Sequence, residues 1–274
     1  MGQLCSCLSG SQARFRDTRA EGGPQQLKHW AATGVVSLRG SGAKAFPDSV
    51  ATLVATTRVL DASDCRLTEI PGWLGQLTAL HRLSLANNAI DSLPTNLFDK
   101  LNALQTLDLR RNGLRVLPDV QGLSSLRTLN LANNKLRLIP SDFGVLRALQ
   151  SLNLSSNALT ALPASLSKCS ALQTLDVGGN PLQELPVSLS QLSNLQTLIL
   201  DDTGLQSLPE DLLLGMTSLR TLSLHGTGIR AEQLEAMPGY EAFETRRRSK
   251  HSKAIEHNVI LPSKGLDDGL DRPV

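Results

Sequence analysis

Apolar residues recur along this chain in a fixed order whose unit is about 23 residues long. One copy has Leu80, Leu83, Leu85, Ile90 and Leu93, with polar or small residues between them. Leu83 and Leu85 alternate with polar neighbours, which is the period of a β-strand that buries one face. Because the order returns from unit to unit, it predicts one short strand in each unit.

An asparagine, or a residue standing in its place, follows each predicted strand. A period in this range with leucines at these offsets is typical of leucine-rich repeats. We expect the asparagine amide to bond backbone groups in its own coil and in the next coil, and the substitutes to do so only in part. These positions, the asparagine slots, are 22 to 24 residues apart and read Ser41, Cys65, Asn88, Asn112, Asn134, Asn157, Asn180, Thr203 and Thr227.

The second half of each unit carries a Leu-Pro or Ile-Pro pair, as at Leu93-Pro94. Proline lacks an N–H and disfavours a strand, so these halves predict short helical or irregular turns on a convex side. Stacked units would share one core, which predicts an α/β solenoid, a horseshoe of about nine coils lining a concave parallel β-sheet, with helical caps at both ends. The convex side should fill the core with Leu97, Leu101, Leu123, Phe143, Leu146, Leu166, Leu189, Leu192 and Leu212.

The segments that flank the repeats differ from them in composition. Pro24 opens a helical segment whose Trp30 is expected to cover the first coil, ligand binding by Trp30 being the alternative. Tyr240 and Phe243 lie three apart, on one face of a helix that is expected to cover the last coil. The expected organisation is a flexible tail with an acylation motif over 1–24, the capped solenoid over 25–230, a C-terminal helical cap with a basic stretch over 231–261 and a disordered tail over 262–274.

The N-terminus matches the myristoylation pattern, with Gly2 as the acceptor and Ser6 at the required offset. One myristoyl chain binds membranes only marginally, so stable anchoring needs a second signal. Palmitoylation of Cys5 or Cys7 would supply it. The alternative is a tail that begins with Met-Gly by chance.

Composition narrows the functional classes. The net charge of +2 is too small for a nucleic-acid footprint, and no apolar run is long enough for a transmembrane helix. Cys65 and Cys169 lack disulfide partners in the sequence, which indicates a reducing compartment. Together with the acylation motif, this predicts a cytoplasmic protein, peripheral on the cytoplasmic face of a membrane.

The concave face is the expected binding surface of a solenoid. The residue between the two strand leucines and the pair after the second leucine, such as Ala86 with Asn87, should be exposed there. Arg110 and Arg111 are the strongest candidates because arginine is enriched at interface anchors. The expected partner-binding residues are Arg110, Arg111, Asp61, Asp64, Asp201, Asp202 and His225.

A basic stretch follows the last coil. It could contact anionic lipid, act as a nucleic-acid or import patch, or be the solvated face of a cap helix. Its members are Arg246, Arg247, Arg248, Lys250 and Lys253.

No enzyme is expected. Gly40 and Gly42 lie inside the first coil with no helix after them, so they do not form a phosphate loop. The histidines lack metal-ligand spacing, and no nucleophile lies beside a base in a recognisable motif. We therefore expect no cofactor and no metal.

The chain resembles a known family. The repeats are similar to the intracellular plant Ras-group type, and the flanks resemble the leucine-rich repeat-containing protein 57 family and its plant and algal members. Cys65 and Thr203 depart from the pattern, which affects the regularity of those coils. The segments that carry the resemblance are Met1-Gly2, Thr33-Gly34-Val35, Phe46-Pro47, 237–248 and 263–269.

The resemblance implies a small cytosolic or membrane-associated binding protein and supplies no catalytic residues. Two functions fit these expectations. The first is a membrane-tethered, non-enzymatic scaffold or adaptor in intracellular signalling that binds protein partners through the concave face, as a monomer. The alternative is a soluble regulatory subunit that binds and inhibits or targets an enzyme such as a phosphatase or small GTPase.

Overall fold

A computed structural model describes the backbone of residues 23–256 and the side chains of residues 23–249. The candidate acylation sites Gly2, Cys5 and Cys7 lie outside the described residues. The tail 262–274 and the side chains of Lys250 and Lys253 also lie outside them. The statements that follow concern the described part of the chain.

Nine short strands form one parallel sheet in chain order, each in register with its neighbours. In each strand the middle residue is apolar and buried, which is why a unit cannot stand alone and must stack. Coil n is the unit that contains strand βn. The strands are β1 Val35–Ser37, β2 Val59–Asp61, β3 Arg82–Ser84, β4 Thr106–Asp108, β5 Thr128–Asn130, β6 Ser151–Asn153, β7 Thr174–Asp176, β8 Thr197–Ile199 and β9 Thr221–Ser223.

The convex side consists of short helices and irregular turns, as predicted from the Leu-Pro pairs. All nine leucine and phenylalanine positions expected to fill the core from this side are buried. Cys169 is also fully buried there, in the place of a core leucine. The helical turns are α2 Asp48–Ala51, α3 Leu212–Gly215 and the 3-10 helices Gly72–Gln76, Phe143–Val145, Ala164–Lys168 and Val187–Gln191.

The asparagine slots join each coil to the one before it. Asn134 accepts the Leu114 N–H of the preceding coil (3.1 Å), and its Nδ2 donates to the Leu109 carbonyl of that coil (3.0 Å) and to the Leu131 carbonyl of its own (3.0 Å). Asn88, Asn112, Asn157 and Asn180 make the equivalent bonds.

The expectation that these amides bond the next coil was therefore wrong in direction. The backbone N–H groups at the strand exits point toward the following coil, as in the bond from Asn133 to the Ser155 carbonyl (2.9 Å). The side-chain oxygen of each asparagine therefore accepts a backbone N–H of the coil before it, as Asn134 does from Leu114.

The substituted slots make only part of this set, as predicted. Cys65 donates to the Leu38 carbonyl of the preceding coil (3.1 Å). Thr203 donates only to the Leu200 carbonyl of its own coil (2.7 Å), and the Leu182 N–H, which an asparagine would bind, turns to the Asn180 carbonyl instead (2.8 Å). The outer coils are thus joined by fewer bonds than the central ones.

Helices cover both ends of the solenoid. At the N-terminal end α1 (Pro24–Thr33) buries Trp30, which is 3% exposed, so this residue serves the cap rather than a ligand. The chain then turns into β1 at Gly34, whose φ is 69° and where a Cβ would lie 2.7 Å from the Thr56 carbonyl oxygen.

At the other end α4 (Ala231–Glu235) and α5 (Tyr240–Glu256) cover coil 9. Phe243 is buried and Tyr240 packs against the core beside it, with ring centroids 6.5 Å apart. Among the described helices, none has the length and apolar character needed to cross a membrane.

Candidate functional site on the concave face

Each strand turns its first and third residues toward the concave face because its middle residue points into the core. In β9 these two residues, Thr221 and Ser223, are nevertheless buried. The third residues were read from the sequence, but the first residues were missed. The strand alternation itself could have identified them. From β3 onward they form a column of Arg82, Thr106, Thr128, Ser151, Thr174, Thr197 and Thr221.

The acidic and amide side chains in the third position stabilise the strand exits. Asp108 accepts the backbone N–H of Arg110, two residues on (3.1 Å), and Asp61 accepts both the N–H (3.0 Å) and the hydroxyl of Ser63 (2.6 Å). These carboxylates are half-buried. One oxygen of Asp61 is therefore engaged by the repeat, and only the remainder is open to a partner.

Several residues after the strands are buried, contrary to the expectation that the pair at each strand exit is exposed. Ser63, Ala86 and Ala132 are 5%, 1% and 6% exposed. Their small side chains allow adjacent coils to approach closely. The second member of each pair, such as Asn87 or Arg111, remains outside the core.

Arg110 and Arg111 lie at the exit of β4 and are both exposed. The Arg110 Nε is 3.5 Å from Asp108 Oδ2, a weak ion pair in which the Arg110 side chain remains 50% exposed. Arg111 has a φ of 53°, in the left-handed region. Both guanidinium groups can therefore reach a partner on this face.

The acidic pair on coil 2 is partly neutralised. Asp64 Oδ2 is 3.1 Å from the Nε of Arg39, and Asp64 Oδ1 accepts a hydrogen bond from Asn87 Nδ2 (2.7 Å). Arg39 was not identified from the sequence, because its pairing depends on the contact between coils 1 and 2.

The acidic pair on coil 8 lies beside His225 of coil 9. Asp201 Oδ1 accepts the backbone N–H of His225 (2.8 Å) and the hydroxyl of Ser223. The backbone rather than the imidazole of His225 makes this contact, so the three residues do not form a base-activated nucleophile. Asp202 is exposed at the strand exit, with a φ of 51°.

Asp176, on the neighbouring strand β7, is electrostatically coupled to this group. Burial raises its pKa, and the negative charge of Asp201 adds to the effect, while hydrogen bonds from the Gly178 N–H and from Ser155 oppose it. Acidic side chains therefore lie toward both ends of the sheet, at Asp61 and Asp64 on one side and at Asp176, Asp201 and Asp202 on the other, with Arg110 and Arg111 nearer its middle.

The first part of the basic stretch is engaged by the cap. Arg246 Nε donates to the Leu219 carbonyl (3.0 Å) and its Nη2 to the Met216 carbonyl (3.4 Å), so it satisfies carbonyl groups at the end of the solenoid. Burial, followed by the charge of Arg220, lowers the pKa of Arg246.

The two following arginines share one carboxylate. Glu244 is 14% exposed, and its oxygens accept Arg247 Nε (2.7 Å), Arg247 Nη2 (3.0 Å) and Arg248 Nε (2.7 Å). These bonds lower the pKa of Glu244 to about 2. Of the three arginines, Arg248 is the one with a largely exposed side chain, at 78%.

Cys65 and Cys169 are free and buried. Burial raises the pKa of the Cys169 thiol to about 11, so it behaves as a core residue and not as a nucleophile. Among the side chains of residues 23–249, no cluster of three or more His, Cys, Asp or Glu has the arrangement of a metal site.

Comparison with known proteins agrees with the architecture. The leucine-rich repeat region model matches residues 50–155, and two further leucine-rich repeat models match residues 147–189 and 170–229. The plant peptide hormone receptor RGFR1, solved in complex with RGF2, matches 64% of the chain at 31% identity with a TM-score of 0.59. The Toll–Spatzle complex of Drosophila matches 85% of the chain at 25% identity with a TM-score of 0.64.

The chain spans 29% and 30% of the length of these two matched chains, so they inform the repeat fold rather than the whole protein. A relative of nearly the same length is plant intracellular Ras-group-related LRR protein 7 of Oryza sativa subsp. japonica. It is 49% identical over 267 residues, which cover 97% of this chain and 98% of the relative. The resemblance of the repeats to the intracellular plant Ras-group type is thereby confirmed, and the chain belongs to the plant intracellular Ras-group-related leucine-rich repeat proteins.

Proposed function

We propose that this protein is a non-enzymatic scaffold that binds a protein partner through its concave face, as a monomer. Membership of a leucine-rich repeat family favours protein interaction in general. The observation that carries the proposal to this face is the pair Arg110 and Arg111, exposed at the exit of β4.

The repeat does not require arginine at these positions. Other coils place Asp, Asn, Ser or Gly in the left-handed position of Arg111, as at Asn87, Asn133 and Gly179. Those residue types tolerate this conformation, whereas a long side chain there costs about 1 kcal/mol. A residue held at a local cost and exposed on a binding face is a candidate for function.

The charges of the face also suit a protein partner. Cationic Arg110 and Arg111 lie near the middle strands, with Asp61 and Asp64 two strand spacings away on one side, about 10 Å, and Asp201 and Asp202 four spacings away on the other, about 19 Å. Such a separation of charge selects one orientation of a complementary partner. The two matched structures are complexes, of RGFR1 with RGF2 and of Toll with Spatzle, which supports partner binding by this repeat class.

Affinity purification with quantitative mass spectrometry tests the concave face. We expect Arg110→Glu/Arg111→Glu to recover about tenfold less of at least one partner than the wild-type chain does. The reason is that charge pairs buried in the complex are costly to reverse. Arg147→Glu/Lys168→Glu makes the same charge change at exposed convex positions and should retain that partner. An unchanged set of partners in the Arg110/Arg111 variant would contradict the proposal.

We further propose that acylation of Gly2, with palmitoylation of Cys5 or Cys7, tethers the scaffold to the cytoplasmic face of a membrane in a signalling pathway. The myristoylation pattern in the sequence supports this step. The wild-type chain should incorporate a myristate analogue and appear in the membrane fraction, and the Gly2→Ala variant should do neither. If both chains remain in the soluble fraction, the regulatory-subunit alternative is favoured instead.

A further inference from the structure

Two exposed apolar side chains lie in adjacent coils on one edge of the solenoid. Val116 and Leu138 are 71% and 65% exposed. They occupy the same place in coils 4 and 5, immediately before Leu117 and Ile139, where the chain leaves the concave sheet for the convex side. Adjacent coils are about 5 Å apart, so the two side chains form one continuous apolar surface.

The repeat does not require large apolar residues at this position. Leu117 and Ile139, one residue later, supply the buried contact in these coils. Exposed valine or leucine side chains elsewhere on the convex side, such as Val187 and Leu214, do not occupy matching positions in adjacent coils. In the other coils the place of Val116 is taken by Ala45, Glu69, Ser92, Ala161, Glu184, Ser207 and Ala231.

Cations surround this apolar pair. Arg115 directly precedes Val116, and Arg137 directly precedes Leu138. Lys135 lies two residues before Arg137 in coil 5, and all three cationic side chains are exposed. Over residues 23–249, these three side chains make neither an ion pair nor a hydrogen bond. In coils 2, 3, 6, 7 and 8 the place of Arg115 is taken by Thr68, Asp91, Thr160, Gln183 and Gln206. Lys44 in coil 1 and Arg230 in coil 9 are cations in this place, but each is followed by a small alanine rather than a large apolar residue. We call Arg115, Val116, Lys135, Arg137 and Leu138 the lateral patch.

A groove opens beside the patch between coils 3 and 4. Its volume is about 540 Å³, within the range of sites that hold small ligands. It can therefore accept one or two side chains of a partner. One wall is formed by Asp91, Ser92, Leu93 and Thr95, and the other by Arg115, Val116, Leu117 and Pro118.

We propose that the lateral patch binds a protein segment in which large apolar residues are flanked by aspartate or glutamate. The apolar residues would cover Val116 and Leu138 and enter the groove, and the carboxylates would pair with Arg115, Lys135 and Arg137. A protein segment fits better than an anionic membrane, because its side chains can enter the groove, which a flat bilayer cannot fill.

This surface is separate from the concave sheet, so it is a second binding site whose test does not depend on Arg110 or Arg111. The probe is a fluorescein-labelled octapeptide of sequence Asp-Glu-Leu-Asp-Glu-Phe-Asp-Glu, titrated with the full-length chain and followed by anisotropy. We expect saturable binding that weakens about tenfold or more in Arg115→Glu/Arg137→Glu and in Val116→Ser/Leu138→Ser. Both variants change exposed side chains, so their unfolding curves should match that of the wild type.

Matched controls separate the patch from general charge and hydrophobicity. Arg147→Glu/Lys168→Glu and Val187→Ser/Leu214→Ser make the same changes at exposed convex positions and should bind as the wild type does. A peptide with lysine in place of the acids, or serine in place of Leu and Phe, should bind about tenfold more weakly.

Three results would overturn the proposal. In the first, the octapeptide does not bind the wild type, or binds all variants equally. In the second, the patch variants lose binding to phosphatidylserine vesicles while the peptide does not bind, which would make the patch a membrane contact. In the third, the wild type is a dimer in sedimentation and the patch variants are monomers, which would make a second copy the occupant.

Discussion

At the scale of the residue, one asparagine side chain joins two coils. The amide of Asn134 satisfies the buried N–H of Leu114, and it shares the Leu109 carbonyl with Asn112. Carbonyl groups are thus shared by consecutive asparagines, whereas each N–H has a single asparagine partner. The loss of one amide therefore leaves a buried donor unsatisfied.

We expect Asn134→Ala to lower the free energy of unfolding by about 3 kcal/mol, from lost hydrogen bonds and the unsatisfied Leu114 N–H. Asn194→Ala is the matched control, because Asn194 is exposed and its side chain donates a hydrogen bond to the Ser170 carbonyl. It should cost roughly 0.5 kcal/mol. Urea unfolding followed by circular dichroism measures both, and similar losses in the two variants would contradict the role assigned to the slot.

The backbone is left-handed at most strand exits, and some residue types adopt this conformation more easily than others. A residue type that suits the conformation is explained by the repeat, and one that does not needs another explanation. Asn87 and Asn133 suit this conformation, and Asp64 also pairs with Arg39 of coil 1. Arg111 is neither a residue type that suits this conformation nor, among the described residues, a member of an ion pair with a neighbouring coil. Asp108 likewise has a role in the repeat, because its carboxylate accepts the backbone N–H of Arg110 at the exit of β4. The exposed side chains of Arg110 and Arg111 have no such role.

At the scale of the element, α5 is stabilised by a half-buried carboxylate that binds two arginines. Glu244 is ionised in the folded state down to a pH of about 2 because Arg247 and Arg248 donate to it. Part of the basic stretch consequently serves the cap. Whether Lys250 and Lys253 contact lipid or nucleic acid stays a prediction, since their side chains lie outside the described residues.

The lowered pKa of Glu244 predicts a pH-dependent stability of the C-terminal cap. The folded-state pKa is below the ordinary value of 4.5, so the stabilisation is complete above pH 4.5 and is lost as the pH falls toward about 2. Glu244→Gln should destabilise the cap at pH 7 by about 2 kcal/mol, and the difference from the wild type should shrink toward zero near pH 2.

Hydrogen exchange of α5 between pH 7 and pH 3 measures this effect, with rates corrected for intrinsic pH dependence. Glu241→Gln, at an exposed position of the same helix, is the control and should show little change. A difference between Glu244→Gln and the wild type that stays constant with pH would show that the contribution is not electrostatic.

At the scale of the whole molecule, the protein is a stack in which each coil contacts its neighbours, with one continuous apolar core from Trp30 to Phe243. Stability in such a stack is a sum of coil and interface contributions. Coils 3 to 7 have asparagine in the slot, and coils 1, 2, 8 and 9 have serine, cysteine or threonine. The interfaces are therefore unequal along the solenoid.

We expect native-state hydrogen exchange to be slowest in β4 to β6 and faster in β1, β2, β8 and β9, with opening free energies that differ by about 2 kcal/mol. Thr203→Asn should slow exchange in β8, because an amide there can accept the Leu182 N–H of the preceding coil. Equal protection of all nine strands would show that the caps, and not the slots, determine where the stack opens.

The sequence by itself determined the fold, the number of coils, the buried leucines and the two caps. This was possible because a repeat protein is built from contacts within a unit and between neighbours, so a period of two within strands and a period of about 23 between them describe nearly the whole core. The burial of Trp30, Phe243 and Cys169 was predicted from the same patterns and is confirmed.

Only the tertiary structure decided which atoms meet between coils. It set the direction of the asparagine bonds, buried Ser63, Ala86 and Ala132, and gave Asp64 its partner Arg39. It also placed Val116 and Leu138 side by side among cations. These contacts join residues far apart in the chain, and their geometry depends on the stacking of the coils, which no local pattern in the sequence records.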